Sequence, residues 1–524
     1  MPLRAWLACI LLLAALPPLS GCDSLPAADR PHSAALLATA DTRLGRTLAP
    51  AMAAHPGLSG ATMLASGRDA FAARVLLARA ADRTLDVQYY IWHADVTGNL
   101  LAAELWRAAE RGVRVRLLLD DNNTRGLDET LAALDAHPNI EVRLFNPYAN
   151  RGLRIAELAA DFDRLNRRMH NKSFTADSQL TIVGGRNVGD EYFGAGGAVD
   201  FADLDVLTAG PVVPEVSRDF DAYWNSAAAY PAASLIRKRP ADPGAMWKAV
   251  AEAPGATRYL EVVRTTPLVR QLVEGTVPFE WSRAHLVSDD PHKVMQSHER
   301  QAPNLLQRLE SMLGKPLREL DLVSSYFVPT EDGSDSLRAL VARGVKVRVL
   351  TNSLAATDVA AVHAGYSKYR RELLRAGVRL YELKPAQDGD RGGGSGSGSI
   401  LGGSEGGRGY GGSSDASLHA KTFAVDRARI FVGSFNFDPR SVHLNTEMGV
   451  VLDNPVFASR LARQFEDEIP RKAYEVRLAA DGSSLEWVER TQEGEVRHAT
   501  EPQASLWRRA WVGFLSLLPI EWLL

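Results

Sequence analysis

Apolar and polar positions along this 524-residue chain run through the same order twice. Leu85 to Ile91 (LDVQYYI) and Leu320 to Val328 (LDLVSSYFV) read as apolar strands, each followed by a stretch of helical spacing. Basic-flanked strands come next, Arg111 to Asp120 (RGVRVRLLLD) and Arg343 to Asn352 (RGVKVRVLTN), offset by 232 residues. Third strands follow at Ile140 to Phe145 and Val378 to Leu383. Asp219-Phe220-Asp221 and Gln464-Phe465-Glu466 are expected to open similar closing helices. Strands alternating with helices predict an α/β sheet unit. The long-range self-similarity predicts two such units in one chain.

Other stretches break this symmetry. Residues 230–318 join the halves, with Arg237 to Arg239 and scattered prolines marking a connector of mostly helical pattern. Residues 391–415 hold 12 of the 42 glycines, interleaved with serine, a composition that forms no packed element. They read as a mobile loop, and a lid over a site and a neutral insertion fit that composition equally. At the start, Arg4, the apolar run Ala5 to Leu16 and Pro17-Pro18 have the charge order and length of a secretory signal, too short to span a bilayer. Leu19-Ser20-Gly21-Cys22 resembles the bacterial lipoprotein cleavage box, which would make Cys22 a lipidated first residue and residues 1–21 the signal. Asp23 behind it is similar to an inner-membrane retention signal of enteric type. At the other end, Leu506-Trp507, Trp511, Phe514-Leu515, Leu517-Leu518 and Trp522 to Leu524, with Arg508 and Arg509, are too short and too interrupted by Pro519 for a span. They suit an interfacial helix. The alternative is a tail docked in a groove of its own domain.

Composition narrows the partners. Two cysteines, Cys9 and Cys22, exclude a disulfide scaffold and a thiolate-rich zinc site. Sixty basic against 63 acidic residues, a net charge of -3, argue against a nucleic-acid partner, although 50 of the basic residues are arginines that could line a local groove.

The chemistry sits in one short pattern. His170-Asn171-Lys172 then Asp177 gives H-x-K-x4-D, and His419-Ala420-Lys421 then Asp426 repeats it 249 residues later. Chance supplies about 0.015 such matches in a chain of this composition. The flanks Gly184-Gly185-Arg186-Asn187 and Gly433-Ser434-Phe435-Asn436 keep the same offset. Residues i and i+2 of a strand face one side, so each His projects with its Lys. A phosphodiester is anionic and resists water. Two ammoniums (Lys172, Lys421) and two amides (Asn187, Asn436) offer donors for the added charge of a pentacoordinate transition state. One imidazole must be neutral to attack phosphorus and the other protonated to supply the leaving oxygen. Each ring needs a partner for its second nitrogen. On the strand after each motif, Asp203 is the candidate for His170, with Asp205 its rival on the same face, and Glu447 is the candidate for His419. No metal is expected, because the motif lysines repel a cation. His285, His292 and His298 are expected to be solvated surface residues.

The paired motif resembles the phospholipase D superfamily across roughly residues 60–475. The resemblance implies two pseudo-symmetric α/β/α sandwich halves that share one active site built from both histidines, lysines and asparagines, with no cofactor. It implies a phosphohistidine at His170 and a proton donor at His419, the reverse assignment remaining open, and a bracing role for Asp177 and Asp426. The strand Ser324 to Pro329 (SSYFVP) and the end LLPIEWLL are similar to the shorter class of bacterial cardiolipin synthases, which lacks two amino-terminal membrane spans. The expected organisation is signal 1–21, lipidated linker 22–58, first half 59–229, connector 230–318, second half 319–475 and tail 476–524. The expected function is phosphatidyl transfer between membrane phospholipids at the periplasmic face of the inner membrane. Attachment would run through Cys22 and the C-terminal segment, and a helper protein stays undefined. Hydrolysis to phosphatidic acid and nuclease action are the alternatives.

Overall fold

Two mixed sheets carry the chain, and a computed structural model describes residues 25–195, 200–237, 242–295, 305–385 and 416–524. The signal segment, Cys22 and the glycine-serine stretch 391–415 lie outside the described residues. The first sheet has nine strands in the order Glu280–Ser282, Ser59–Leu64, Asp205–Ala209, Leu180–Gly184, Ser173–Ala176, Thr84–Ile91, Arg114–Asn123, Ile140–Phe145, Ala229–Pro231. The second has ten, in the order Ala284–Ser288, Met448–Leu452, Arg429–Gly433, Lys421–Val425, Glu319–Ser324, Lys346–Asn352, Arg379–Leu383, Ala473–Leu478, Leu485–Thr491, Gly494–His498. In each sheet three parallel strands lie beside an antiparallel ladder that begins with the motif strand. The repeat read from the sequence is thus a repeat of topology.

Matching ion pairs pin the parallel strands. Arg116 grips Asp86 through both nitrogens at 2.7 and 2.9 Å, and Arg348 grips Asp321 at 2.6 and 2.8 Å. All four groups are buried, and the fork-to-fork geometry satisfies charges that would otherwise be costly in the core. Arg114, Arg116 and Arg143 also donate to the carbonyls of Ala34, Ser33 and Pro31. The segment after residue 24 is therefore strapped along the first sheet.

Three local expectations change. The connector, expected to be mostly helical, does carry helices Pro243–Glu252, Pro254–Arg264 and Pro267–Glu274. It also supplies an edge strand to each sheet: Glu280–Ser282 pairs with Ser59–Ala61 and Ala284–Ser288 pairs with Met448–Leu452. Asp219-Phe220-Asp221 and Gln464-Phe465-Glu466 do not open the closing helices; they sit in the later turns of Val212–Trp224 and Pro455–Asp467. Pro211, the N-cap of the first, and Pro455, the first residue of the second, mark the true starts, where a missing N–H costs no helical bond. Finally, the strand read as Leu320 to Val328 ends at Ser324, and a helix begins at Thr330.

The tail docks on its own domain by one face only. Helix Leu506–Leu515 buries Val512 against Leu354, Ala364 and Ala504. Its other face leaves Trp507 86 % exposed, with Trp511 and Phe514 stacked on each other in solvent. Among the described residues no helix is long and apolar enough to cross a membrane.

Candidate active site

The two motifs leave their sheets at the same end and meet. His170 precedes strand Ser173–Ala176, and His419 precedes strand Lys421–Val425. The backbone N–H of His170 donates to the carbonyl of Thr446 at 2.9 Å, and that of His419 donates to Ala202 at 2.8 Å. Each motif thus stitches itself to the opposite half. A short parallel pairing of Ala416–Leu418 with Asp200–Ala202 extends the second of these seams.

This stitching corrects the expected acid partners. Nδ1 of His170 lies 2.8 Å from Oε2 of Glu447, and Nδ1 of His419 lies 2.6 Å from Oδ2 of Asp203. The pairing is crossed, not within each half. Sheet order explains why. Strand Leu180–Gly184 separates the first motif strand from Asp205–Ala209, so the same-half acid lies two strand spacings away, roughly 9.5 Å. Across the pseudo-two-fold seam the other half's acid is adjacent. Asp205, the rival partner, is instead occupied by Arg74 at 2.9 Å and the backbone N–H of Arg186 at 3.1 Å.

The remaining motif residues divide by position. The Lys172 ammonium donates to the His170 carbonyl at 2.5 Å and faces the Tyr90 ring, 5.4 Å from its centroid. Lys421 donates to Ser325 Oγ at 3.1 Å and to the carbonyl of His419. Asn187 accepts from the Ile91 N–H at 3.1 Å and donates to the Tyr192 hydroxyl at 3.1 Å. Asn436 accepts from Ser325 at 3.0 Å. Asp177 and Asp426 lie at the far ends of the motif strands, in left-handed turns with φ of 51° and 53°. Asp177 accepts from the backbone of Asp82, Arg83 and Thr84 at 2.8–2.9 Å. Asp426 accepts from Leu317, Arg318 and Glu319 at 2.7–3.0 Å. Each carboxylate therefore braces the start of the neighbouring strand. Replacing buried Asp177 by alanine strands three donors and should cost about 3 kcal/mol. Denaturant unfolding should show a lowered midpoint, and an unchanged midpoint would contradict the bracing role.

Several residues at the site were not foreseen. Ser434 and Ser441 donate to the two oxygens of Glu447 at 2.5 and 2.8 Å. In the first half Gly185 stands where Ser434 stands in the second, and a Cβ there would fall 2.2 Å from Asp203 Oδ1. The Gly-to-Ser difference was visible in the aligned flanks. Asp120 accepts from the Met169 N–H at 2.8 Å, and Asn352 exchanges two 2.9 Å bonds with Leu418. These residues fix the backbone immediately before each histidine. Tyr90 and Tyr192 stand edge-on to His170 and His419, with centroids 5.0 and 5.3 Å apart.

Burial dominates the electrostatics and splits the two pairs. It pushes His170 well below the usual imidazole range, with help from Lys172 and Lys421. It lifts the Glu447 carboxyl to about 7 despite Lys172 and the two serines. Burial and Lys421 push His419 down to about 4, against the opposing pull of Asp203. Burial also acts to raise Asp203, but His419 and Lys421 outweigh it and hold the carboxyl at about 2. His170 therefore lies beside an acid that readily takes a proton, and His419 beside a carboxylate. The arrangement brings together two buried imidazoles, each held by an acid of the opposite half, and two buried amines. Burial also lowers Lys421 to about 8 and Lys172 well below its usual range. A lowered lysine loses its charge as pH rises through its pKa, so turnover should fall through about pH 8 or lower. An alkaline limb at the ordinary lysine value of about 10 would contradict buried, titrating amines.

The clusters expected to stay on the surface do so in part. His285 and His292 are exposed, and His298 lies outside the described residues. Among the described residues, His93, Asp95 and Glu191 come close enough to share a cation. Asp95 already caps helix Val96–Glu110 and accepts from Asp190, and His93 contacts Glu191 at 3.1 Å.

A family model described as "Cardiolipin synthase, PLD-like domain" matches residues 75–224 and 309–469. The chain is 47 % identical over 489 residues to cardiolipin synthase C of Escherichia coli (strain K12), covering 92 % of this chain and all of that protein. It is 27 % identical over 411 residues to cardiolipin synthase A of Pseudomonas entomophila, covering 78 % of this chain and 67 % of that one. The crystal structure of phosphatidylserine synthase from Haemophilus influenzae superposes with a TM-score of 0.54 at 14 % identity, over 91 % of this chain and all of that one, a likeness of fold.

Proposed function

The chain belongs to the phospholipase D-like family of cardiolipin synthases, and from that premise we propose that it transfers phosphatidyl groups between membrane phospholipids through a phosphohistidine. The single observation that carries the mechanism is the crossed pair of buried imidazole–carboxylate contacts at 2.8 and 2.6 Å. Glu447 fixes the second nitrogen of His170, leaving Nε2 to attack phosphorus. The P–N bond forms as the bond to the departing headgroup oxygen breaks, and His419 gives that oxygen a proton. The acceptor alcohol then returns a proton to His419, its oxygen attacks phosphorus, and the P–N bond opens to free His170. The cycle starts from His419 carrying its proton, a form that Asp203, ionised beside it, favours against the pull of burial and Lys421. Lys172, Lys421, Asn187 and Asn436 would hold the phosphoryl oxygens as charge builds.

Hydrolysis and transfer share every step except the acceptor, so exclusion of water decides between them. Deleting residues 391–415 tests whether that stretch supplies the exclusion: a lid predicts a rise in phosphatidic acid relative to transfer product, and an unchanged ratio removes the idea. We further read Cys22 as a lipidated residue and the exposed aromatic tail as a second membrane contact. On that reading, with Asp23 behind Cys22 as a retention signal, the site would face the periplasm from the inner membrane. Expression in a cell lacking its own cardiolipin synthases tests the function directly. New cardiolipin with the wild-type chain, lost in His170→Ala and His419→Ala, is the expected result. Phosphatidic acid without cardiolipin would favour the hydrolase.

A further inference from the structure

Helix Arg154–Ala160 has no buried residue, an inversion of the usual surface helix. Its polar side chains turn inward. Glu157 accepts from the backbone of Ala149 and Asn150 at 2.8 and 2.7 Å, and Arg154 donates to the Asp121 carbonyl at 2.8 Å. Of its larger apolar side chains Leu158 is half-buried and Ile155 is 81 % exposed, with exposed Leu153 just before the helix and Phe162 just after it. Polar contacts thus hold an apolar hook in place with nothing over it among the described residues.

The hook stands beside the other exposed apolar element of the chain. Asn166, one turn beyond Phe162, accepts from the Arg440 guanidinium through its carbonyl at 3.0 Å and its side chain at 2.5 Å. The same Arg440 donates from Nε to the Leu523 carbonyl at 3.1 Å and from its backbone N–H to Leu524 at 2.6 Å. One arginine therefore joins the hook of the first half to the end of the tail, where Leu517 and Trp522 are exposed. Arg440 is next to Ser441, which holds Glu447, the partner of His170. The strapped N-terminal segment ends here too. Leu25 lines a cleft of about 410 Å³ with Asp161, Asp163 and Arg164.

We infer that the Leu153–Phe162 hook is a membrane-inserting element that, with the tail, seats the mouth of the active site on the bilayer. The occupant is a lipid surface because Arg440 ties the two exposed apolar segments to one rim, and because exposed tryptophans suit the headgroup boundary. The inference rests on the reading of the substrate as a membrane phospholipid, yet its test needs no turnover.

In a mature lipoprotein the Cys22 sulfur is consumed as a thioether, so Ile155→Cys is the only free thiol. The full chain bearing a thiol-reactive fluorophore at Ile155→Cys, Leu517→Cys or, as control, Glu493→Cys in an exposed hairpin turn is mixed with phosphatidylethanolamine–phosphatidylglycerol vesicles that carry nitroxide lipids. Quenching at positions 155 and 517 should exceed that at 493 by roughly threefold or more. Quenching at 517 alone, or at neither, overturns the inference. So does a concentration-dependent change at 155 without vesicles, which would assign the hook to a second copy of the chain. The wild-type chain is carried through the same labelling, and any signal it gives is subtracted from each variant before the comparison.

Discussion

Replacing His170 by alanine should lower phosphatidyl transfer by about 10⁴-fold or more, because it removes the atom that bonds to phosphorus. His419→Ala should fall nearly as far with natural donors, whose alkoxide headgroup must leave with a proton. The two variants part company with an activated donor. A nitrophenyl headgroup leaves without protonation, so His419→Ala should still release one equivalent of nitrophenol in a burst and then stall. His170→Ala should give no burst. Equal bursts from both variants would contradict the division of roles. Because each site needs both histidines in one chain, mixing the two variants should restore nothing.

The second large effect belongs to the acids. Asp203→Asn and Glu447→Gln keep the shape of the site but remove the charge that fixes each imidazole, and each should cost about 10²–10⁴-fold in turnover. Crossed pairing makes their consequences unequal. Asp203→Asn should behave like a weakened His419, retaining the nitrophenol burst. Glu447→Gln should behave like a weakened His170, with the burst slowed in proportion to turnover. Glu447 shares its oxygens with Ser434 and Ser441, so Ser434→Ala should push the variant in the same direction by a smaller factor, about tenfold. Thermal unfolding near the wild-type midpoint would keep these losses from being read as collapse of the buried network.

Much of this was legible in the sequence because it depends on spacing. The 249-residue offset of His-x-Lys and its Asn flank places equivalent groups at equivalent strand ends, and the period-two rule puts His and Lys on one side. The two acids were legible by type and position. Their partners were not, since strand order within a sheet is invisible in a linear string and the nearest acid along the chain is two strands away. The connector's edge strands were equally hidden. Glu280–Ser282 is three residues long and too short for any periodicity to show. The hook at Arg154–Ala160 escaped for a different reason: an apolar helix whose apolar face meets solvent looks in sequence like one that meets a core.

The crossed site can be tested by one quench experiment. Asp203→Asn and Glu447→Gln are each mixed with a nitrophenyl phosphatidyl donor, stopped in denaturant, and the modified peptide is mapped. Crossed pairing with His170 as nucleophile predicts a phosphatidyl group on His170 accumulating in Asp203→Asn and scarce in Glu447→Gln. Accumulation on His170 in Glu447→Gln, with little in Asp203→Asn, would contradict it.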